Sequence, residues 1–304
     1  MEHQLSELRS LAAGAENRKT STGIPRVFMV RGNVPEHALA TVYEPMVNLI
    51  LQGGKAMTVG DRTLRYDPAT YFVMSVDLPA IGAVSAGRNG EPYLAVSLAL
   101  APNIIGTLLA DLPPITAAAN VPGFCVAAVT PQLLDAWLRL LRLMRAPEEI
   151  SALAPVYERE ILFRVLQGPH GAMLRDIATP TTALARIHRA IRWIRDHFTE
   201  PMRVERLAEI AAMSLSSFHR RFKEVTKQSP VQFQKSIRLL HARLRLINGG
   251  MNATSAAFDV GYESATQFSR EYTRFLGAPP AQDAARIIAA MREPNSSPSI
   301  STNQ

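Results

Sequence analysis

The sequence predicts an α+β protein, in which a β-rich N-terminal part precedes an all-helical C-terminal part. Residues 24–100 contain short apolar runs punctuated by Gly and Pro, a pattern typical of strands in a sandwich or small barrel. From Ala183 to about Ala290, apolar residues recur at helical spacing instead. Residues 1–180 hold 15 basic and 16 acidic residues, whereas residues 181–290 hold 17 and 9. A basic domain joined to a nearly neutral one favours a polyanionic partner, nucleic acid before membrane.

Outside the helical C-terminal part, the chain divides into predicted strands, two predicted helices and three irregular segments. The strands are Val47–Leu51, Ala56–Val59, Thr63–Tyr66, Tyr71–Val76 and Tyr93–Leu100. Apolar stripes predict helices over Pro131–Arg145 and Pro155–Gln167. Residues 1–20 are polar and predict a flexible arm, and residues 169–182 predict a linker. The Pro-, Asn- and Ser-rich residues 291–304 predict a disordered tail.

Bulk properties argue against several classes of protein. No apolar run is long enough to cross a bilayer, and the N-terminus lacks the features of a signal peptide. Cys125 is the one cysteine, so no intrachain disulfide is expected and a cytoplasmic location is favoured. Residues 1–180 contain His3, His37 and His170 without clustered metal ligands, and no phosphate loop or nucleophile elbow is present. We therefore expect no metal, no cofactor and no enzyme activity.

The C-terminal part repeats itself. Phe218-His219-Arg220-Arg221-Phe222 matches Phe268-Ser269-Arg270-Glu271-Tyr272 at an offset of 50 residues, and Pro230 matches Pro280. Upstream the offset is 49, since Leu207-Ala208 matches Ala256-Ala257, so the second copy carries one extra residue in its turn. Two copies of one supersecondary unit are the simplest explanation.

Each copy has the pattern of a helix, a tight turn and a second helix. In the first copy, Ser214 is placed to cap a helix that buries aromatic residues on one face. The opposite face of the second helix is polar and basic in both copies, which suits base edges and phosphates. The residues on that face are Ser216, His219, Arg220 and Lys223 in the first copy, and Thr266, Gln267 and Arg270 in the second. Pro230–Asn248 predicts a linker helix of roughly 28 Å, so both units could enter adjacent major grooves.

These residues resemble the DNA-binding domain of the AraC/XylS family of regulators over about 100 residues. The matching pieces are Leu207–Ala211, Ser214-x-x-x-Phe218-x-Arg220-x-Phe222-Lys223, Ser229-Pro230-x-x-Phe233, Ile237-Arg238-x-x-x-Ala242, Gly261-Tyr262, Phe268-Ser269-Arg270 and Phe275. The resemblance implies a double helix-turn-helix domain over residues 183–290, in which Ser216, His219, Arg220, Thr266, Gln267 and Arg270 face the bases. The run Pro279–Ala284 departs from the family's pattern, so different or looser packing of the last helix is expected.

Residues 40–100 resemble the N-terminal domain of the same family. The likeness is carried by Tyr43-Glu44-Pro45, Leu51-Gln52-Gly53-x-Lys55, Tyr66, Asp77-Leu78-Pro79 and Glu91-Pro92-Tyr93. It implies a cupin-like sensor β-barrel over residues 21–125 and a helical dimerisation or cover element over residues 126–168. In the family such a domain senses a small molecule, and Tyr43, Gln52, Lys55, Tyr71 and Tyr93 are the effector-pocket candidates. The expected partners are double-stranded DNA, an unidentified effector, a second copy in a homodimer and RNA polymerase, without a membrane.

Three alternatives stay open at this point. The N-terminal domain could be only a dimerisation or protein-interaction module, or a cupin-type enzyme fused to a DNA-binding domain. The stripe Leu134/Trp137/Leu138/Leu141 could be a dimer seam or simply the cover of the barrel. Cys125 could be a redox sensor or a buried idle thiol, and the second is favoured because no basic neighbour is visible in the sequence.

Overall fold

The described residues of the chain form two compact units. The computed structural model describes residues 1–32, 38–68, 70–87, 89–113, 123–248 and 251–292. The first unit contains Met1–Ile194 and Arg203–Phe233, and the second contains Arg195–Met202 and Gln234–Gln304. The first unit therefore includes the first repeat copy, whereas the sequence pattern predicts a domain boundary near residue 182. Most of the predicted tail, from residue 293 onward, lies outside the described residues.

The N-terminal part is a β-barrel built from two antiparallel sheets. Its strands are β1 (Thr20–Ser21), β2 (Val27–Gly32), β3 (Ala38–Tyr43), β4 (Met46–Gln52), β5 (Gly54–Val59), β6 (Arg62–Tyr66), β7 (Thr70–Met74), β8 (Leu78–Ser85), β9 (Tyr93–Ala99) and β10 (Phe124–Ala128). One sheet has the order β1-β2-β9-β4-β7-β10 and the other β3-β8-β5-β6. The alternation of buried and less buried residues along β5 gives one inward face, with Met57 and Val59 in the core. The predicted cupin-like α+β architecture is confirmed.

Helices at both ends of the barrel sequence cover its core. They are α1 (Glu2–Leu11), α2 (Pro102–Ala110), α3 (Pro131–Arg142), α4 (Ile150–Gln167) and α5 (Gly171–Ala178). The prediction of a flexible arm over residues 1–20 is wrong, because Leu5, Leu8 and Leu11 lie on one face of α1 and are buried. The linker expected over residues 169–182 contains α5, whose Met173 and Leu174 are also buried.

The apolar stripe of α3 lies inside the first unit. Leu134, Trp137, Leu138 and Leu141 are all at most 3% exposed, and α3 packs against α1 and α4. The stripe therefore covers the chain's own core, and these four side chains are not available to a dimer seam in this conformation. Pro131 occupies the first turn of α3, where the Leu133 amide donates to the Thr130 hydroxyl at 3.2 Å.

The remaining helices build the repeated region. They are α6 (Ala183–Asp196), α7 (Val204–Ile210), α8 (Leu215–Thr226), α9 (Pro230–Ile247), α10 (Ala253–Asp259), α11 (Ala265–Leu276) and α12 (Pro280–Arg292). The offset of 50 recurs in the structure, since α8 and α11 are both 12 residues long and begin 50 residues apart. The predicted duplication is confirmed. None of the described helices combines the length and apolar character that crossing a bilayer requires.

A buried carboxylate holds the last helix in the second unit. Asp283, on the first turn of α12, has a fully buried side chain and accepts hydrogen bonds from Arg243 Nε at 2.8 Å and from the Tyr272 hydroxyl at 3.0 Å. Arg286 Nη2 donates to its other oxygen at 2.9 Å. The departure from the family pattern in this segment thus brings a specific ion pair, and the expected looser packing is not observed.

Candidate nucleic-acid interface

The first helix-turn-helix presents α8 on a small aromatic core. Ser214 caps α8 by accepting a hydrogen bond from the Ser217 amide at 3.4 Å. Phe218 and Phe222 are fully buried, and the Phe222 ring meets Phe233 edge-on with centroids 5.3 Å apart. Because the aromatic residues occupy one face of the helix, the other face must point to solvent.

That exposed face carries all four residues predicted for the first unit. Ser216, His219, Arg220 and Lys223 are exposed. Among the residues that the structure describes, the Arg220 guanidinium makes no hydrogen bond or ion pair. Its neighbour Arg221 instead points back and pairs with Glu224 at 2.9 Å, and its side chain is only 14% exposed. The two adjacent arginines therefore have different roles, and only Arg220 is available to a partner.

The second helix-turn-helix needs a glycine at its turn. Gly261 follows α10 with φ +85°, and a Cβ at this position would lie 2.2 Å from the Thr199 carbonyl oxygen. The turn brings the Tyr262 ring against Phe268, with centroids 5.4 Å apart. Ser264 then caps α11 by accepting from the Gln267 amide at 3.3 Å. In the first copy Ala212, 49 residues earlier, also has a positive φ, so both turns follow the same path.

The exposed face of α11 contains the predicted Thr266, Gln267 and Arg270, together with Arg274. Among described residues, no partner of the Arg270 guanidinium is found. Gln267 is different, since its amide donates to Glu271 at 3.1 Å. Burial opposes ionisation of Glu271, but hydrogen bonds from Lys235, Gln267 and Tyr262 lower its pKa below the usual value. Arg274, which the sequence analysis missed, follows Arg270 by one turn and could have been found from that spacing.

Two arginines of α9 serve the fold of the second unit and are not part of this face. Arg238 donates to the carbonyl oxygens of Phe198 at 2.6 Å and Gly261 at 2.8 Å, and it also reaches Thr199. Arg243 is held by Asp283. Both side chains are therefore occupied by intramolecular contacts.

A cavity of about 500 Å³ lies in the barrel and gathers three of the five predicted effector residues. Tyr43, Lys55 and Tyr93 line it. The other two lie elsewhere: the Gln52 amide donates to the Pro92 carbonyl at 2.9 Å, and the Tyr71 ring packs edge-on against His170. Burial lowers the pKa of the Lys55 ammonium to about 8.

Cys125 has the properties of a structural thiol. Burial raises its pKa to about 12, so the reactive thiolate form is disfavoured at neutral pH. Its sulfur lies 2.6 Å from His170 Nδ1. Burial also lowers the pKa of His170, which keeps the imidazole neutral. Within the described ranges, no three His, Cys, Asp or Glu side chains come together as metal ligands.

Two protein families match the chain on either side of α6. Residues 23–173 match the AraC-type transcriptional regulator N-terminus, and residues 207–286 match a helix-turn-helix domain. The chain belongs to the AraC family of transcription regulators. This family consists of DNA-binding transcription factors and not of enzymes, so the fused-enzyme alternative is excluded.

Curated AraC-family relatives match over about half of the chain. The HTH-type transcriptional activator RhaS of Escherichia fergusonii is 33% identical over 137 residues, which are 44% of this chain and 49% of the relative. RhaS of Salmonella agona is 31% identical over 148 residues, 48% of this chain and 52% of the relative. The chain thus spans about half the length of these relatives.

Solved structures of ToxT show the same fold over most of the chain. A substituted form of apo ToxT from Vibrio cholerae has a TM-score of 0.57 with 10% sequence identity, covering 88% of this chain and 99% of ToxT. Wild-type ToxT with a bound unsaturated fatty acid has a TM-score of 0.55, also with 10% identity, and covers 85% of this chain and 93% of ToxT. At this identity the likeness establishes the shared β-domain and helical-domain fold alone.

Proposed function

We propose that this chain regulates transcription by binding specific duplex DNA through the exposed faces of α8 and α11, under the control of a small molecule in the barrel. The observation that carries the proposal is the repeated pair of arginines, Arg220 and Arg270. Both are exposed and lack an intramolecular partner among the described residues, in a chain where many other arginines are paired. Unpaired arginines at equivalent positions of two helix-turn-helix units are well suited to read guanine in the major groove.

The other residues on the two faces complement the arginines. Ser216, His219, Thr266 and Gln267 have donors and acceptors at the positions from which a recognition helix reaches base edges. Lys223 lies one turn beyond His219 on α8 and supplies a positive charge suited to a phosphate. The proposal therefore assigns base reading to six residues and backbone contact to Lys223.

The DNA-binding proposal is tested on an operator selected from random duplexes. Arg220→Ala and Arg270→Ala are each expected to weaken specific binding by about 1–3 kcal/mol and to relax the base preference at one position each. Arg65→Ala is the matched control, because Arg65 is an exposed arginine on β6 of the barrel. Unchanged operator affinity in both recognition-helix variants would remove the assignment. Protection of two segments about 10 base pairs apart is the expected footprint.

Ligand control is supported by the position of the cavity relative to α8. β5 carries Lys55 at the cavity and ends at Val59, and the next residue, Gly60, approaches the end of α8. A Cβ at Gly60 would lie 2.5 Å from the Lys227 carbonyl oxygen. Gly123, just before β10, is similarly close to Val225, since its Cβ would lie 2.7 Å from that carbonyl oxygen. A change in the barrel thus has a direct packing route to the first recognition helix.

The alternative, that the N-terminal domain only mediates assembly, is separated from sensing by measuring operator affinity of the full chain with and without bound ligand. A ligand that binds saturably and shifts operator affinity supports sensing, whereas binding without any shift supports the alternative. The homodimer and the contact with RNA polymerase are further proposals from the family. Sedimentation of the full chain tests the first of them.

A further inference from the structure

The barrel cavity contains a buried lysine that the fold does not need. Lys55 occupies an inward position of β5, in line with Met57 and Val59, where the period of the strand calls for an apolar residue. Its side chain lies between the cross-strand neighbours Tyr66 and Val84. Lysine is almost never this buried without a partner, since its charge loses hydration.

The Lys55 charge lacks a counter-charge among the described residues. Its ammonium makes no hydrogen bond or ion pair with them, and Lys55 is 8% exposed. Within this part of the chain the ammonium contacts the face of the Tyr43 ring, whose centroid lies 4.7 Å from Nζ. A cation–π contact alone offsets only part of the cost of burying an ammonium group. The geometry leaves Lys55 lining the cavity as a donor without an acceptor.

The rest of the cavity defines the body of a ligand. Apolar atoms supply most of the cavity surface, through side chains that include Phe28, Met29, Val30, Val42, Met46 and Val84. Polar side chains also line it: Asn17, Thr41, Asn48 and Ser97. Arg18, Lys19 and Glu44 also line the cavity and are exposed, and Arg18 pairs with Glu16, so these exposed groups together carry no net charge. A volume of about 500 Å³ suits a small organic molecule.

The groups that face Lys55 do not supply a competing charge. The Tyr43, Tyr66 and Tyr93 hydroxyls have pKa values raised by burial, so they stay neutral at physiological pH. Tyr93 is fully buried and its hydroxyl has no hydrogen-bond partner among the described residues. Because Tyr93 lines the same cavity as Lys55, its neutral hydroxyl offers a second donor to an anion.

We propose that this cavity binds a small amphipathic monocarboxylate, whose carboxylate pairs with Lys55 and whose hydrocarbon body fills the apolar wall. One buried cation matches one negative charge, whereas a dianion would leave a charge uncompensated in an apolar wall. The inference rests on the proposed ligand control and names the chemical class of its effector.

The test is calorimetric titration of the full chain, without DNA, with octanoate, decanoate and 3-phenylpropanoate. At least one is expected to bind saturably with one molecule per chain. Its uncharged amide, which keeps the shape and removes the charge, is expected to bind on the order of 30-fold more weakly or worse. The eight-carbon dicarboxylate suberate is expected to bind more weakly than octanoate.

Lys55→Met then isolates the lysine, because methionine keeps a similar length and removes the charge. It is expected to lose most of the preference for the acid over the amide, while Lys235→Met, which removes a lysine of α9 outside the barrel, keeps it. Since the comparison of acid with amide uses the unmodified chain, it decides the question even if Lys55→Met does not fold.

Equal binding of acid and amide, an unchanged preference in Lys55→Met, or no binding of the three acids would overturn the inference. The proposed function is judged separately by operator binding of the same protein without ligand. If the protein binds its operator specifically but none of the three acids binds to it, the carboxylate inference is overturned and the proposed DNA-binding function stands. Acid binding that leaves operator affinity unchanged overturns ligand control and leaves the carboxylate site in place.

Discussion

The buried ion pair of the last helix allows a quantitative prediction. Replacing Asp283 by alanine removes the acceptor of Arg243 Nε at 2.8 Å, of the Tyr272 hydroxyl at 3.0 Å and of Arg286 at 2.9 Å. The Arg243 side chain is 7% exposed and that of Asp283 is fully buried, so water cannot replace the lost carboxylate. Breaking a buried pair from one side costs about 3–5 kcal/mol.

The expected loss for Asp283→Ala is therefore about 3–5 kcal/mol, a large fraction of the stability of an ordinary domain. The Tyr272 hydroxyl belongs to the same network, so its contribution overlaps with that figure and is not added. Because Tyr272 lies on the buried face of α11, the loss is expected to loosen the second recognition helix as well. Operator binding by this helix should weaken in parallel.

The assay is urea denaturation followed by circular dichroism, with Asp259→Ala as the control. Asp259 also pairs with an arginine of α9, Arg245, at 2.6 Å, but the two side chains are 32% and 41% exposed. An exposed pair of this kind contributes about 1 kcal/mol or less. The reasoning is refuted if the two variants lose equal stability, or if Asp283→Ala loses less than about 1 kcal/mol.

The same network predicts an acid dependence. Burial alone would raise the pKa of Asp283, but Arg243, Arg286 and Tyr272 outweigh it and hold the pKa below the usual value. A carboxyl whose pKa is lower in the folded state stabilises fully above its unfolded pKa of about 3.9. The stability difference between the wild type and Asp283→Ala should therefore be constant at neutral pH and shrink as the pH falls through the folded pKa.

Three further predictions follow from single positions. Gly261→Ala should destabilise the protein more than Gly277→Ala in urea denaturation. Both positions have a positive φ, +85° and +82°, which costs a non-glycine residue about 1–2 kcal/mol, but at Gly261 the added Cβ would also lie 2.2 Å from the Thr199 carbonyl oxygen. Equal losses of stability would contradict this close approach. Affinity for a carboxylate should be constant between about pH 6 and pH 7, where the ligand stays ionised, and fall above about pH 8, as Lys55 loses its proton, whereas affinity for the matching amide should not change. Lys223→Ala should reduce the slope of log affinity against log salt by about 1 with no change in base preference, and an unchanged slope would place Lys223 away from phosphate.

The repeated region was well predicted because its signals are local. Helix periodicity, the caps at Ser214 and Ser264 and the offset of 50 all lie within short stretches of chain. Hydrophobic spacing also places Phe218 and Phe268 inward, so the opposite faces follow without tertiary information. The location of seven candidate DNA-contacting residues on exposed faces therefore needed only the helical period.

The errors arose where polar composition hides a short helix. Leu5, Leu8 and Leu11 recur every three residues, which is a helical signal in a segment that composition alone assigns to an arm. α4 begins at Ile150, five residues before the predicted start, and it contains Pro155 within its first turns. Val156, in the second turn of α4, is exposed.

Roles that depend on distant partners could not be predicted. Arg238 looks like a surface charge in the sequence, and its role follows only from carbonyl groups near residue 199, about 40 residues away. The barrel shows the same limit, because Tyr71 and Gln52 resemble pocket residues in sequence but the pleat and register direct them elsewhere. Strand pairing, not residue type, decides which side chains share a cavity.

Asp283 and Lys55 are both buried charged residues. Comparing them distinguishes a charge that stabilises the fold from a charge that is available to a ligand. Asp283 has an arginine, a tyrosine and a second arginine around it, so its burial is explained within the chain. Lys55 is comparably buried, and among the described residues its ammonium is partnered by the Tyr43 ring alone. The chain itself therefore supplies the counter-charge of Asp283, but the described residues supply none for Lys55, which faces a cavity. Under the proposed ligand control, an acceptor for Lys55 is expected to come from outside the chain, so the barrel and not Asp283 is the place to look for the effector.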